Sequence, residues 1–316
     1  MKKNLILEIC QNHKGSKSVL EEMVHAASDA GVKHVKIQDI HSSELTKRDR
    51  FEKGLIKNKK IINICRPYSK EKKRLSKLDM PRNFIDNFIS LCKKYKVNPI
   101  VTPFTYNSYD RLKNKNLKFL KIASYDCSSI NFLNKMKKLN RPMIVSTGAT
   151  KKNEIIEAKK TLGNKLLAFL HCVTIYPTPL NKCNLLKIKF LKKHANNVGW
   201  SDHTLFERDH HIASLASLLC GANYIERHFT ILSKDKTKDG PVSINFKETK
   251  ELVEYMKLDN IELKKILSDM RYDWDKSLGK GGTNLSHLEN LNRDYYRGRF
   301  ATKKNNKLIF NWQKLD

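Results

Sequence analysis

Eight short apolar runs that each end in polar residues, with helical periodicity in most of the gaps between them, predict an α/β chain closed into a (β/α)8 TIM barrel. The runs are LILEI (Leu5–Ile9), HVKIQ (His34–Gln38), NPIVTPF (Asn98–Phe104), KFLKIAS (Lys118–Ser124), PMIVSTG (Pro142–Gly148), LLAFLHC (Leu166–Cys172), NVGWSDHT (Asn197–Thr204) and NYIERHFT (Asn223–Thr230). The chain has 316 residues, and one such barrel takes roughly 250. The expected division is a barrel over 1–274, then a linker and a short C-terminal tail over 275–316. In this architecture the C-terminal ends of the strands meet at one mouth. Polar residues spread from Glu8 to His228 are therefore expected to converge.

The gaps read as follows. Ser16 or Ser18 can cap a first helix that runs to Ala30, where Gly31 stops it. The stretch Ile40–Asp79 is too long and too charged for a simple βα loop, and predicts a lid that includes Arg66, Pro67 and Tyr68. Pro81 and the following FIDNFISLCKKY predict a helix. Further helices are expected near Ser108–Lys115, Asn131–Lys138, Lys152–Leu162, Leu185–Lys193, Arg208–Leu219 and Lys247–Ser268. Lys276–Asn284 contains GKGG and reads as a linker. The tail DYYRGRFATKKNNKLIFNWQKLD has the length for a strand or two but not for its own core.

Composition narrows the function classes. Hydrophobic content is 40% and charged content 30%, as in a soluble globular enzyme. No apolar stretch reaches the ~20 residues of a membrane span. The N-terminal MKKNLILEI is superficially like a signal peptide, but its apolar part is short and runs into Glu8, so it reads as the first strand. Seven cysteines without a CxxC pattern fit free thiols in a reducing cytoplasm. The net charge of +30 is spread over nearly all predicted helices and loops, with no nucleic-acid motif beside it. It reads as a lysine-rich surface whose field helps draw in an anionic substrate.

Two histidines at successive strand ends, His203 in GWSDHT and His228 in IERHF, carry the first chemical signal. Neutral imidazoles suit a divalent transition metal, and Glu226 or Asp202 can complete or orient such a shell. The competing reading is a pair of hydrogen-bonded structural histidines. Lys36 and Lys121 sit inside apolar strands, where an ammonium is costly unless it meets an anion. With Thr102, Ser124, Ser146, Thr147 and Ser201 they form a ring of donors suited to phosphate and carboxylate oxygens. Gly148 allows backbone N–H groups to come close to such an anion. The alternative is that the lysines pair with Glu8 or Glu226 and the serines cap helices. Glu8 at a barrel mouth is a candidate general base. Cys172 reads as a buried, inert thiol.

Taken as a collinear set, EICQNHKG, VKIQ, TPF, KIAS, STG, LHCVTIYPTP, GWSDHT and IERHF resemble the sialic acid (N-acetylneuraminate) synthase family. The match runs from about Leu5 to Thr230 and covers the barrel. The resemblance implies a cytoplasmic, homodimeric transferase of carbohydrate biosynthesis that condenses phosphoenolpyruvate with an N-acetylated amino sugar. It implies a divalent metal on His203 and His228, most often Mn2+, with Mg2+ or Co2+ as substitutes. It implies catalytic roles for Glu8, Lys36, Lys121 and Glu226. Gln38, Thr102, Ser124, Ser146, Thr174, Tyr176, Ser201 and Asp202 match positions that hold substrate. The implied reaction is attack of phosphoenolpyruvate C3 on the sugar aldehyde, addition of water at C2, and loss of phosphate by C–O cleavage. Neither a specific nucleic acid nor a membrane is implied as a partner.

Three departures qualify that resemblance. Where the family usually reads GPDH, this chain reads Gly240-Pro241-Val242-Ser243, so an acid thought to meet the sugar is missing at that place. Trp200 stands where relatives commonly have Tyr, and Thr174 where they often have Asn. Residues from about Arg293 resemble only the first part of the family's C-terminal antifreeze-like domain, which supplies an arginine to the partner's site. Arg66 and Arg297 are the candidates to replace it. The nearest alternative activity is a 3-deoxy-aldulosonate synthase with a sugar-phosphate acceptor, which extra basic residues at the mouth would favour. A non-catalytic, sugar-binding barrel is the alternative from another class.

Overall fold

The structure is a computed structural model that describes residues 2–81, 83–271 and 273–315. The eight runs form eight parallel strands: β1 (Asn4–Cys10), β2 (His34–Asp39), β3 (Asn98–Pro103), β4 (Phe119–Ile122), β5 (Met143–Ser146), β6 (Leu166–His171), β7 (Asn197–Asp202) and β8 (Tyr224–Phe229). They pair in chain order, and β1 closes on β8 with Glu8 opposite His228. The closed (β/α)8 barrel predicted from the runs is the fold. A two-residue strand, Ser243–Ile244, continues the sheet beside the end of β8.

The strands are almost wholly buried because the barrel covers one face and helices the other. Alternation along each strand divides the side chains between these two layers. Ile6, Ile100, Ile144, Ala168, Leu170 and Tyr224 pack together as a separate inner cluster. The opposite positions, such as Leu5, Leu7, Val35, Val101 and Leu120, join the larger core against the helices. Two residues beyond several inner positions stand the polar groups of the mouth: Glu8 after Ile6, Thr102 after Ile100, Ser146 after Ile144 and Glu226 after Tyr224. An apolar plug thus underlies a polar floor.

The first helix, Lys17–Asp29, is capped by the Ser16 hydroxyl, which accepts from the Val19 N–H. Two predicted helices are each two shorter ones. Arg208–Leu219 is interrupted at His210, whose φ of +45° is left-handed, and resolves into Phe206–Asp209 and Ile212–Leu219. Lys247–Ser268 divides into Phe246–Tyr255 and Asn260–Met270, the second started by the Asp259 carboxylate accepting from Ile261 and Glu262 N–H groups. Polar capping residues within the apolar pattern end one helix and begin the next. Among the described residues, no helix is long and apolar enough to cross a membrane. All seven cysteines are free.

Two excursions roof the mouth. Between β2 and β3 the chain forms a hairpin, Leu55–Lys57 with Lys60–Asn63, and a helix, Tyr68–Ser76. The tail forms a helix, His287–Tyr296, that its sequence did not announce, and then the hairpin Thr302–Lys304 with Lys307–Ile309. That helix starts at a Ser286–Glu289 capping box, which supplies the N-terminal partners its short length needs. The tail lies on its own barrel. Tyr295, Phe300 and Ala301 are buried, the Tyr106 hydroxyl donates to the Asn311 and Gln313 carbonyls, and Ala301 N–H donates to Glu44 O.

Candidate active site

One cavity at the strand ends is lined by residues of all eight strands or the loops that leave them, together with the lid and tail. Its floor is an ionic lattice. The Lys36 ammonium contacts Glu8 Oε2, donates to Thr102 Oγ1 at 3.2 Å and lies 3.7 Å from Glu226 Oε2. Lys121 donates to Ser146 Oγ at 2.5 Å and lies 3.7 Å from Glu226 Oε1. Gln38 Nε2 donates to Glu8 Oε2 at 3.2 Å, and Ser201 Oγ donates to Glu226 Oε1 at 2.8 Å. Both readings of the strand lysines therefore hold in part: they meet the glutamates, and they also reach the hydroxyl ring.

The charges are tuned by burial and by each other. Burial first, and then Lys121, press the Lys36 ammonium down to about 7 against the pull of Glu226. Burial pushes Glu226 up, but Lys121 and Lys36 outweigh it and hold the carboxyl at about 2. An arriving anion would find two cations already desolvated and aimed, so little reorganisation is required on binding. Glu226 Oε2 has no hydrogen-bond donor and is placed to turn toward one.

Ser124, Cys172 and Gly148 form the adjoining wall. Ser124 Oγ accepts from the Gly148 N–H at 3.2 Å and lies 3.0 Å from Cys172 Sγ. A Cβ on Gly148 would come within 2.5 Å of Cys172 Sγ, 2.8 Å of Thr174 Cγ2 and 2.9 Å of Ser124 Oγ. Only glycine fits there. Burial keeps the Cys172 thiol above its ordinary range, in keeping with an inert group.

The histidines stand at the next strand ends. The rings of His203 and His228 are 5.3 Å apart, and the ring of Tyr176 lies 4.2 Å from that of His203. Burial, reinforced by His228, lowers His203 to about 3, and burial also lowers His228. Both imidazoles are thus neutral, the form that binds metals. Each has a buried Nδ1 without a hydrogen-bond partner. Beside His228 lie Cys10 and Asp239, with Cys10 Sγ 3.0 Å from Asp239 Oδ2. One donor atom from each of Cys10, His228 and Asp239 falls within 4.8 Å of the others. This donor chemistry fits a divalent cation.

Of the sequence-predicted positions, Thr147, Gly148, Thr174 and Asp202 are placed away from the cavity lining; the Thr147 hydroxyl donates to the Leu170 carbonyl at 3.1 Å. Asp202 was expected beside His203, but alternation along β7 turns Ser201 and His203 inward and Asp202 outward. There it is buried against Arg227 Nη1 at 2.5 Å and accepts from Thr204 N–H and Ser214 Oγ. Its lone pairs are used in joining strand to helix. Thr174 is buried behind Gly148, and its carbonyl accepts from Asn292 Nδ2 of the tail helix. Glu8, Lys36, Gln38, Thr102, Lys121, Ser124, Ser146, Tyr176, Ser201, His203, Glu226 and His228 all line the cavity.

Sequence reasoning placed the lid over the mouth but missed Cys10, Asp239 and the roof cations Arg74, Lys238 and Arg299. Cys10 was within reach, because it follows Glu8 at the inward-facing period. Asp239 directly precedes Gly240, so an acid does stand at the mouth although none follows Pro241. Of the two arginines expected to cover the mouth, Arg66 lines it, whereas Arg297 stacks over Trp312 at 5.1 Å. Arg299, two residues on, lines the cavity with Arg74 and Lys238.

The chain is similar in sequence and fold to known proteins. The chain is 32% identical over 311 residues to the N,N'-diacetyllegionaminic acid synthase of Campylobacter jejuni, covering 96% of this chain and 86% of that one. It is 30% identical over 258 residues to the N-acetylneuraminate-9-phosphate synthase of Drosophila melanogaster, covering 78% of this chain and 65% of that one. The crystal structure of the spore coat polysaccharide biosynthesis protein SpsE of Bacillus subtilis superposes with a TM-score of 0.71 at 27% identity, over 93% of this chain and 77% of that one. The family model described as NeuB family matches residues 23–266, most of the barrel, and the chain accordingly belongs to the NeuB family, enzymes of the synthase, or transferase, type.

Proposed function

We propose that the chain condenses phosphoenolpyruvate with the open-chain aldehyde of an N-acetylated amino sugar, forming a nonulosonic 2-keto-3-deoxy acid and releasing inorganic phosphate. The observation that carries this reading is the pair of desolvated lysines, Lys36 and Lys121, held against Thr102 and Ser146 in the cavity that also holds His203 and His228. An ammonium pair beside hydroxyls suits the carboxylate and phosphate of phosphoenolpyruvate.

In this reading Lys121, Ser146 and Ser124, whose Oγ the Gly148 N–H holds in place, fix one charged end of phosphoenolpyruvate, and Lys36 with Thr102 the other. The enol phosphate is held with its C3 toward the aldehyde. The C3–C1 bond forms as the aldehyde oxygen takes up a proton. Water then adds at C2, and Glu8, held by the Cys10 N–H at 2.7 Å, is placed to accept the proton that water gives up. Collapse of the C2 adduct breaks its C–O bond to phosphate and leaves the ketone. His203 and His228 would hold the divalent ion, which when bound supplies Lewis-acid polarisation of the sugar carbonyl. Incubation with phosphoenolpyruvate, Mn2+ and a panel of N-acetylated amino sugars tests the reaction. Phosphate and 2-keto acid should appear in equal amounts; phosphate without the keto acid, or neither product with any acceptor, removes it.

The roof favours a second reading of the acceptor. Arg66, Arg74, Lys238 and Arg299 line the outer cavity, and Arg299 is buried with its Nε unpaired. Glu71 pairs with Arg74 and Arg299, and Asp239 faces Lys238 and Arg74, which leaves about half of this positive charge uncompensated. Such a rim suits an acceptor carrying a terminal phosphate, as in a sugar-phosphate 3-deoxy-aldulosonate synthase. Adding hexosamine 6-phosphates and arabinose 5-phosphate to the same panel separates the two, by which acceptor has the higher kcat/KM.

A further inference from the structure

We propose that Cys10 is a metal ligand, and that Cys10, His228 and Asp239, with His203 alongside, form a thiolate-containing centre that prefers zinc- or iron-class divalent ions to Mn2+ or Mg2+. The ligand set inferred from the strand ends alone was two imidazoles. The structure adds a sulfur and a carboxylate from opposite ends of the barrel sequence, Cys10 on β1 and Asp239 in the loop after β8.

Four observations converge on this site. The donor atoms of Cys10, His228 and Asp239 already lie within 4.8 Å of one another. Ligands on a common ion at 2.0–2.3 Å need separations only somewhat shorter than that. His228 and His203 each keep a buried Nδ1 without a partner, so neither ring is used up as a structural donor and acceptor. Cys10 itself adopts φ +53°, a left-handed conformation rare for a residue with a side chain. Such outliers persist where surrounding structure holds them, often at working sites. A register irregularity in the β1–β2 pairing falls between Glu8 and Cys10 and re-aims the end of the strand.

The chemistry of the set decides the ion. A thiolate is a soft donor that favours zinc, iron or copper, whereas carboxylate, carbonyl and water oxygens suit manganese and magnesium. Binding would transfer the Cys10 S–H proton to solvent as the sulfur–metal bond forms. Asp239, 3.0 Å away, is the neighbouring carboxylate that would otherwise hold that proton in a hydrogen bond.

The test uses the full chain stripped of metal and titrated with Co2+, read by absorption spectroscopy. One equivalent should produce ligand-field bands together with a near-ultraviolet sulfur-to-cobalt charge-transfer band. In Cys10→Gly the charge-transfer band should vanish while cobalt still binds. Glycine tolerates the positive φ, so this variant keeps the local backbone. Cys172→Ser, which alters the other cavity thiol, should leave the band intact. In competition dialysis the preference for Zn2+ over Mn2+ should fall at least tenfold in Cys10→Gly. A wild-type complex without the charge-transfer band, or a band that survives Cys10→Gly, overturns the proposal. Neither readout depends on turnover.

Discussion

Lys121 shows how one side chain can be tested against its assigned ligand. Its ammonium is buried and meets Ser146 and Glu226. Loss of a charge-assisted hydrogen bond from such a site costs about 1.5–3 kcal/mol. Lys121→Met should therefore raise the KM for phosphoenolpyruvate about ten- to a hundredfold and leave that for the sugar nearly unchanged. An effect on the sugar alone would reverse the placement of the two substrates. At Gly148 the expectation is steric. The added methyl of Gly148→Ala meets three side chains at 2.5–2.9 Å, and overpacking of this kind costs about 1–3 kcal/mol. Thermal melts should register that loss, and phosphoenolpyruvate binding should weaken because Ser124 is displaced. An unchanged Tm would mean the wall yields freely. His228→Ala should abolish metal dependence and nearly all turnover with the fold intact; activity that still responds to chelator would remove this histidine from the metal site.

Between elements, one carboxylate bridges the lid helix and the tail, alongside the Arg50–Asp294 pair and the Arg48 bonds to tail carbonyls. Glu71, on the lid helix Tyr68–Ser76, bonds Arg74 on its own helix and Arg299 of the tail. Burial pushes Glu71 up, but Arg74 and Arg299 outweigh it and hold the carboxyl at about 2. A carboxyl depressed below its unfolded value stabilises the fold above the unfolded pKa, and that contribution is lost as pH falls through the folded one. Glu71→Gln should lower the Tm at pH 7, and the difference from wild type should shrink below about pH 4.5 and close near the folded value. A constant difference across that range would mean that packing, not charge, joins lid to tail. The tail itself covers the cavity through Tyr296, Arg299, Phe300 and Asn311. Deleting Tyr295–Asp316 should lower solubility and turnover together. Full activity after that deletion would show that the lid closes the mouth alone.

The whole molecule carries 62 basic against 32 acidic residues. Most of this excess is solvated surface, yet its field extends into a mouth whose floor and roof are also cationic. Between about 0.01 and 0.1 M ionic strength the Debye length contracts from about 30 to about 10 Å. Over that range kcat/KM for phosphoenolpyruvate should fall several-fold, while that for a neutral amino sugar should hardly move. Equal responses would place the steering charge away from the mouth. At this scale the tail packs on the barrel of its own chain, an outcome that its apolar stripe of Phe300, Leu308, Phe310 and Trp312 left open. Phe300 is buried, whereas Leu308 on the hairpin and Trp312 beyond it keep 40% and 36% of their surface exposed.

The eight strands, their order and the polar residues that end them were legible in the chain's pattern, because apolar periodicity is a local signal repeated in each segment. The pattern also contained, through alternation, the inward turn of Glu8, Thr102, Ser146, Ser201 and His203, and by the same rule the outward turn of Asp202 that pairs it with Arg227. The tail helix and the breaks at His210 and Asp259 were not legible, since capping and a left-handed residue compete with a periodic pattern that continues across them. Only the tertiary structure decided which arginine reaches the mouth and which groups stand beside His228. Arg297 and Arg299 differ by two residues, and the bend of the tail at Gly298, φ +86°, separates their directions. Cys10 and Asp239 lie 229 residues apart. They meet because β1 closes on β8, and no local pattern in either segment encodes that closure.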